Sequence, residues 1–181
     1  MLGLPSAAIA KAASVADRAE ALSKITIDNF GEINDTYYRG SQPKGNDFAS
    51  LARLGVKTVI DLTRGGLASE QKSVQDAGMN FFRIPMTTSD RPDANAVAQF
   101  LKLVNDPANQ PVYVHCQGGR HRTGVMTAVY RLTHDKWTAD RAFAEMRQYE
   151  FDKGFGHTAL KQFMFDYYDK LKNAVGIATP E

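Results

Sequence analysis

The chain contains one cysteine, Cys116, within "VYVHCQGGRHRTGVMTAVYRL", residues 112–132. An apolar run delivers it, and two glycines, two arginines and a second histidine fall in the six residues after it. Gly118 and Gly119 permit a tight turn whose N–H groups point inward, and a helix N-terminus behind them adds free N–H groups and a positive dipole. Such a loop cradles a tetrahedral dianion. Arg122 closes the cradle with a planar fork onto two phosphate oxygens. The same field lowers a thiol pKa from about 8.5 by roughly one to five units. Cys116 is then a thiolate at neutral pH and a nucleophile, and its attack on phosphorus makes a phosphocysteine. Thr123 completes the pattern H-C-x5-R-T and is placed to hydrogen-bond the sulfur as it leaves.

The elements around this loop must hold it at a sheet edge. "VYVHC" (112–116) reads as a buried strand, as do "VKTVIDL" (56–62) and "FFRIP" (81–85), the last ended by Pro85. "INDTYYRGSQP" (33–43) carries an early hairpin or edge strand. Helical spacing links Phe48, Leu51 and Ala52, and a weaker helix covers 68–77. Val97, Phe100, Leu101 and Val104 share one helix face. Val125, Val129 and Leu132 belong to the helix behind the cysteine, which is expected to start near Thr123. Further helices carry Ala139, Ala142, Phe143 and Met146, then Leu160, Phe163, Met164, Tyr167 and Leu171. Alternating strands and helices predict a single-domain α/β fold: a central, mostly parallel sheet of about four to five strands, flanked by helices. Functional loops then lie at the strand C-termini, where Cys116 sits.

The 181 residues suit one domain. With 43% hydrophobic residues, 23% charged residues and a net charge of +2, nothing points to nucleic acid or a membrane surface as partner. No apolar run approaches the roughly 20 residues of a membrane span. One cysteine makes no internal disulfide and fits a reducing compartment, so a cytoplasmic monomer is expected. The alanine-rich residues 1–27 lack the features of an export signal and read as a weakly helical extension before a domain at 28–175. The alternative is an exported protein with a trimmed signal region. With four scattered histidines and one cysteine, a zinc site lacks ligands, and no metal or cofactor is expected. "TRGGLAS" reads as a turn, with Arg64 either facing the pocket or solvated.

"HCQGGRHRTG" resembles the signature of the cysteine-based protein tyrosine phosphatase superfamily. It is most similar to the atypical plant and fungal dual-specificity phosphatases, whose loop contains "KHRTG", with Arg120 here in place of the lysine. "YYRGSQP", "LGVKTVIDL", "NQPVYVHC" and "YRL…W" match the style of that group, and the resemblance covers about residues 28–168. It implies that Cys116 is the nucleophile and Arg122 the phosphate clamp. His115 would hold the electronic environment of the cysteine, and Thr123 would assist the second step. Gln117, Gly118, Gly119, Arg120, His121 and Arg122 would line the substrate cradle.

The implied activity is phosphomonoester hydrolysis on phosphotyrosyl or dual-specificity protein substrates. Because Arg120 and His121 add positive charge, an inositol polyphosphate or pyrophosphate is the alternative; otherwise Arg120 merely pairs with a carboxylate. The leaving group needs a proton, and the superfamily takes it from an aspartate on a loop in this region. In "IPMTTSDRPDANAV" the acid is Asp90, mid-loop before Pro92, or Asp93, or neither; Asp93 also suits a helix cap. A rhodanese-type sulfurtransferase also presents a loop cysteine at a strand end but lacks the C-x5-R-T form. A non-catalytic phosphate-binding module would not need every reactive residue that the loop retains.

Overall fold

A computed structural model describes residues 15–175. Five strands form one sheet: β1 (Gly31–Asn34), β2 (Tyr37–Gly40), β3 (Thr58–Thr63), β4 (Asn80–Met86) and β5 (Val112–His115). Their order is β1-β2-β5-β3-β4, and only the β1–β2 hairpin is antiparallel. β5 is therefore the central strand. His115 lies opposite Gly40 on one side and Asp61 on the other, so the chain leaves β2, β3 and β5 at the same edge and three loops gather around Cys116.

Helices cover both faces. On one face lie α1 (Val15–Ser23), α2 (Asp47–Arg53) and α3 (Glu70–Asp76). Leu51, Val59, Val74 and Tyr113 are buried there, with Leu22 and Ile25 packed against them. Residues 15–27, read from sequence as an extension, thus rest on the sheet, and Arg18 of α1 donates to the Tyr38 hydroxyl. Residues 1–14 of that extension lie outside the described residues. On the other face lie α4 (Ala94–Asn105), α5 (His121–Thr133), α6 (Ala139–Gln148) and α7 (Thr158–Val175). Ile60, Leu62, Val112, Val114, Phe100, Val129 and Met164 share that core. The side-chain alternation along β5 explains the division: Val112 and Val114 face one layer and Tyr113 the other.

α5 is buried over Thr123–Tyr130 because α4, α6 and α7 surround it. Its small residues permit this: a Cβ on Gly124 would stand 3.3 Å from the Phe151 ring. The helix begins at His121, two residues before the expected Thr123, because its first turn belongs to the polar loop. Pro85 does not end β4, which continues to Met86 with an irregular register. β4 is an edge strand, where a missing N–H costs no ladder bond. Among the described residues no helix is long and apolar enough to cross a membrane.

Phe100 is fully buried and sets its ring edge-on to Tyr37, centroids 6.4 Å apart. Phe100→Ala should lower stability by about 3–5 kcal/mol through lost burial and an unfilled cavity. Phe155, fully exposed, is the control, and its alanine variant should stay within about 0.5 kcal/mol of the parent. Urea unfolding of both variants measures the difference.

Candidate active site

Cys116 follows β5 directly and is 2% exposed. In the loop from Cys116 to Arg120 the carbonyls of Gln117, Gly118 and Gly119 are held by partners outside the loop. Arg39, fully buried on β2, donates to the Gly119 carbonyl. The Asn29 amide donates to the same carbonyl at 3.0 Å and to that of Gly118 at 3.5 Å. Gly119 meets two demands at once. Its φ is +64°, and a Cβ there would stand 2.5 Å from the Gly40 carbonyl carbon and 2.8 Å from the Ser41 nitrogen.

Burial alone would push the Cys116 thiol up. The Thr123 hydroxyl, the Arg122 guanidinium and the backbone N–H groups of Thr123 and Gly118 outweigh it and hold the thiol below its ordinary value. Thr123 is fully buried, and its hydroxyl has no nitrogen or oxygen partner, which leaves it to the sulfur. Arg122 reaches the Met86 carbonyl at 3.4 Å, while its buried Nε is unpartnered. A buried donor without an acceptor is costly, and an anion in the cradle would satisfy it.

Behind the loop is a charged network that sequence reasoning did not find. His115 is fully buried, with Nε2 2.8 Å from Glu70 Oε1 and Nδ1 4.0 Å from Asp61 Oδ1. The Gln42 side chain donates to Glu70 at 2.6 Å, and the Gln42 N–H donates to the Gln117 carbonyl at 3.3 Å. Arg83 donates to Asp61 at 2.7 Å and lies 3.7 Å from Glu70. Glu70 thus ties the loops after β2 and β3 to the residue preceding the cysteine. Nothing in its local sequence, "ASEQKS", marks it for this role.

Of the predicted site residues, Cys116, Gln117, Gly118, Arg120, His121 and Arg122 line one cavity of about 370 Å³. Asp28, Ser41, Lys44 and Thr88 complete its wall. His115, Gly119 and Thr123 stand behind it. Arg120 pairs with Glu150 at 2.7 Å. His121 meets the Lys153 carbonyl at 2.7 Å and stacks on His157, and burial holds its imidazole below the usual range, so it is neutral at pH 7.

Asp90 lies in a separate cavity of about 70 Å³, which shares no lining residue with the first. Its carboxylate accepts from Thr87 at 2.6 Å and stands 4.0 Å from Arg64, which is mostly exposed. Asp93 caps α4 by accepting from the Ala96 N–H at 2.7 Å.

A family model described as "DSP-PTPase phosphatase fused to NAD+ Kinase" matches residues 5–164. "Inositol diphosphatase SIW14" of Saccharomyces cerevisiae is 29% identical over 151 residues, covering 80% of this chain and 52% of that protein. The chain therefore spans about half the length of the yeast relative. "Dual specificity protein phosphatase TpbA" of Pseudomonas aeruginosa is 30% identical over 129 residues, covering 71% of this chain and 56% of that protein. The crystal structure of TpbA superposes with a TM-score of 0.69 at 25% identity, covering 82% of this chain and 91% of that one. The match over most of the sequence agrees with the cysteine loop at the centre of the sheet: the chain belongs to the DSP-PTPase family of cysteine-based phosphatases.

Proposed function

We propose that this chain hydrolyses a small, polar, phosphorylated molecule of the inositol phosphate or pyrophosphate kind through a phosphocysteine intermediate. The lining of the cavity carries this reading. Around Cys116 every other wall residue is polar, charged or glycine, and none is phenylalanine, tyrosine or tryptophan. A phenyl ring gains most of its binding energy from apolar walls, whereas a hydroxyl-rich ring is served by these groups. A phosphotyrosyl protein is the second reading, supported by the dual-specificity name that TpbA carries. A phosphatase panel of phosphotyrosyl peptides against inositol polyphosphates separates the two.

The chemistry runs in two steps. The Cys116 thiolate forms the S–P bond while the P–O bond to the leaving group breaks, and the leaving oxygen takes a proton. Water then attacks phosphorus, the S–P bond breaks, and phosphate departs with the thiolate restored. Arg122 and the loop amides bind the three equatorial oxygens, where charge is greatest in each transition state. Thr123 donates to the sulfur as it leaves. Asp90 supplies the proton after the loop at 87–93 carries it toward the cavity that its neighbour Thr88 already lines.

Cys116→Ser should abolish turnover, since a serine hydroxyl stays protonated where only a thiolate is favoured. Arg122→Lys should be nearly as damaging as Arg122→Ala, because lysine keeps the charge and loses the fork. Turnover of p-nitrophenyl phosphate measures both, and a lysine variant of near-normal rate would place the clamp elsewhere.

The acid limb of kcat/KM should lie below the ordinary thiol value of about 8.5, with the rate rising as pH rises through the lowered pKa of Cys116. Removing a group that favours the thiolate moves this limb upward. Thr123→Val should therefore shift both it and the pH profile of iodoacetamide alkylation to higher pH, and Thr123→Ser should restore them.

Asp90→Asn should slow alkyl phosphates by on the order of 10² to 10⁴ and spare aryl phosphates, whose leaving groups scarcely need a proton. Asp93→Asn should cost about 1 kcal/mol of stability or less and little rate. A large alkyl-selective loss in Asp93→Asn instead would transfer the role.

A further inference from the structure

The cavity around Cys116 is one lobe of a wider cleft. A second lobe of about 460 Å³ opens beside it, between the loop after β2 and the loop after β3. Gln42, Thr63, Gly65, Gly66 and Leu67 wall it, and Lys44, Gln117 and Arg122 line both lobes. A molecule whose phosphoryl group sits over Cys116 would place the rest of itself against Lys44.

The other cations near the cleft are occupied. Arg120 is held by Glu150, which also meets Lys153. Arg64 stands beside Asp90, and Arg83 is held by Asp61 and Glu70. His121 is held against the Lys153 carbonyl and the His157 ring. Arg122 belongs to the cradle. Among the described residues the exposed Lys44 ammonium makes no hydrogen bond or ion pair. Its backbone is nevertheless fixed: the Lys44 N–H donates to the Asp47 carboxylate at 2.8 Å, and the Asp47 N–H donates to the Lys44 carbonyl at 2.9 Å. The stem therefore starts from an ordered turn at the head of α2. The hydroxyl of Thr63 and the amide of Gln42 are already engaged with Asp61 and Glu70, so Lys44 is the free charge on the wall of the second lobe. Asp28, across the Cys116 lobe, is absent from the second lobe and leaves that side electropositive.

We propose that Lys44 is a specificity-determining residue that binds a second phosphate, carried by the leaving group, in the lobe between the β2 and β3 loops. The inference rests on the reading of the Cys116 lobe as the phosphate cradle. It assigns selection for a polyphosphorylated substrate to the loop after β2 rather than to the extra basic residues of the cysteine loop.

The test measures competitive inhibition of p-nitrophenyl phosphate hydrolysis by inorganic phosphate, a one-anion probe, and by myo-inositol hexakisphosphate, a many-anion probe. A charge-assisted hydrogen bond corresponds to roughly tenfold or more in affinity. Lys44→Met should raise the inhibition constant of the hexakisphosphate by about tenfold. It should change that of phosphate, and kcat/KM for p-nitrophenyl phosphate, by clearly less than this, because Lys44 also borders the Cys116 lobe but neither probe carries a second anion into the second lobe. Lys44→Arg should restore tight inhibition. An unchanged hexakisphosphate constant in Lys44→Met overturns the proposal. Equal weakening of both probes also overturns it, since Lys44 would then serve the cradle itself. Absence of p-nitrophenyl phosphate turnover by the parent enzyme would instead strike the phosphatase reading.

Discussion

A cysteine sulfur buried at a strand end, among donors that favour its anion, is the constraint that organises this molecule. Removal from water disfavours the thiolate, so hydrogen-bond donors must surround it. The loop amides supply them only if the matching carbonyls turn outward and find partners of their own. Arg39 and Asn29 are those partners. Arg39 is itself fully buried, with two unpartnered nitrogens, and its guanidinium lies over the Tyr149 ring at 3.9 Å. Donors that favour the sulfur anion therefore come with a second buried charge behind the loop. Asn29 pursues the same end from a left-handed backbone, φ +55°, and its amide also reaches the Tyr149 carbonyl.

The sheet order makes this arrangement stiff. Cys116 follows the central strand, so both neighbouring strands deliver their loops to it. On its other side the loop runs into a helix enclosed by three others. Strand and helix thus clamp the two ends of a short turn. A preorganised cradle of this kind avoids reorganisation as charge develops. The buried Glu70 links His115 to Gln42, and Gln42 in turn holds the Gln117 carbonyl.

Charge placement around the cleft is more selective than the composition of the loop suggests. Arg120 and His121 look like added cations in the one-dimensional pattern. In three dimensions Arg120 meets Glu150 and His121 is neutral against the Lys153 carbonyl. Both residues brace the cysteine loop against the segment joining α6 to α7. Local positive potential in the open cleft falls instead to Arg122 and to Lys44, which comes from a different loop.

The cysteine loop that marks the family was legible in the chain itself, because its parts are contiguous: a buried strand, glycines for the turn, an arginine six residues on and a helix start. The α/β class was legible for a similar reason, since hydrophobic period is a local property. Strand order, and with it the facing of His115 onto Glu70 and Asp61, arises from pairings between segments far apart in sequence. No local pattern encodes them. The same holds for Asn29 and Arg39, whose value lies in reaching carbonyls some 80 to 90 positions away. The fate of the extra charges was undecidable from the loop alone, because a cation and its partner, such as Arg120 and Glu150, meet only when α6 folds back onto α5. Sequence therefore determined the family and the place of its cysteine loop. Tertiary structure decided which charges remain free to choose a substrate, because ion pairing depends on distance through space rather than position along the chain.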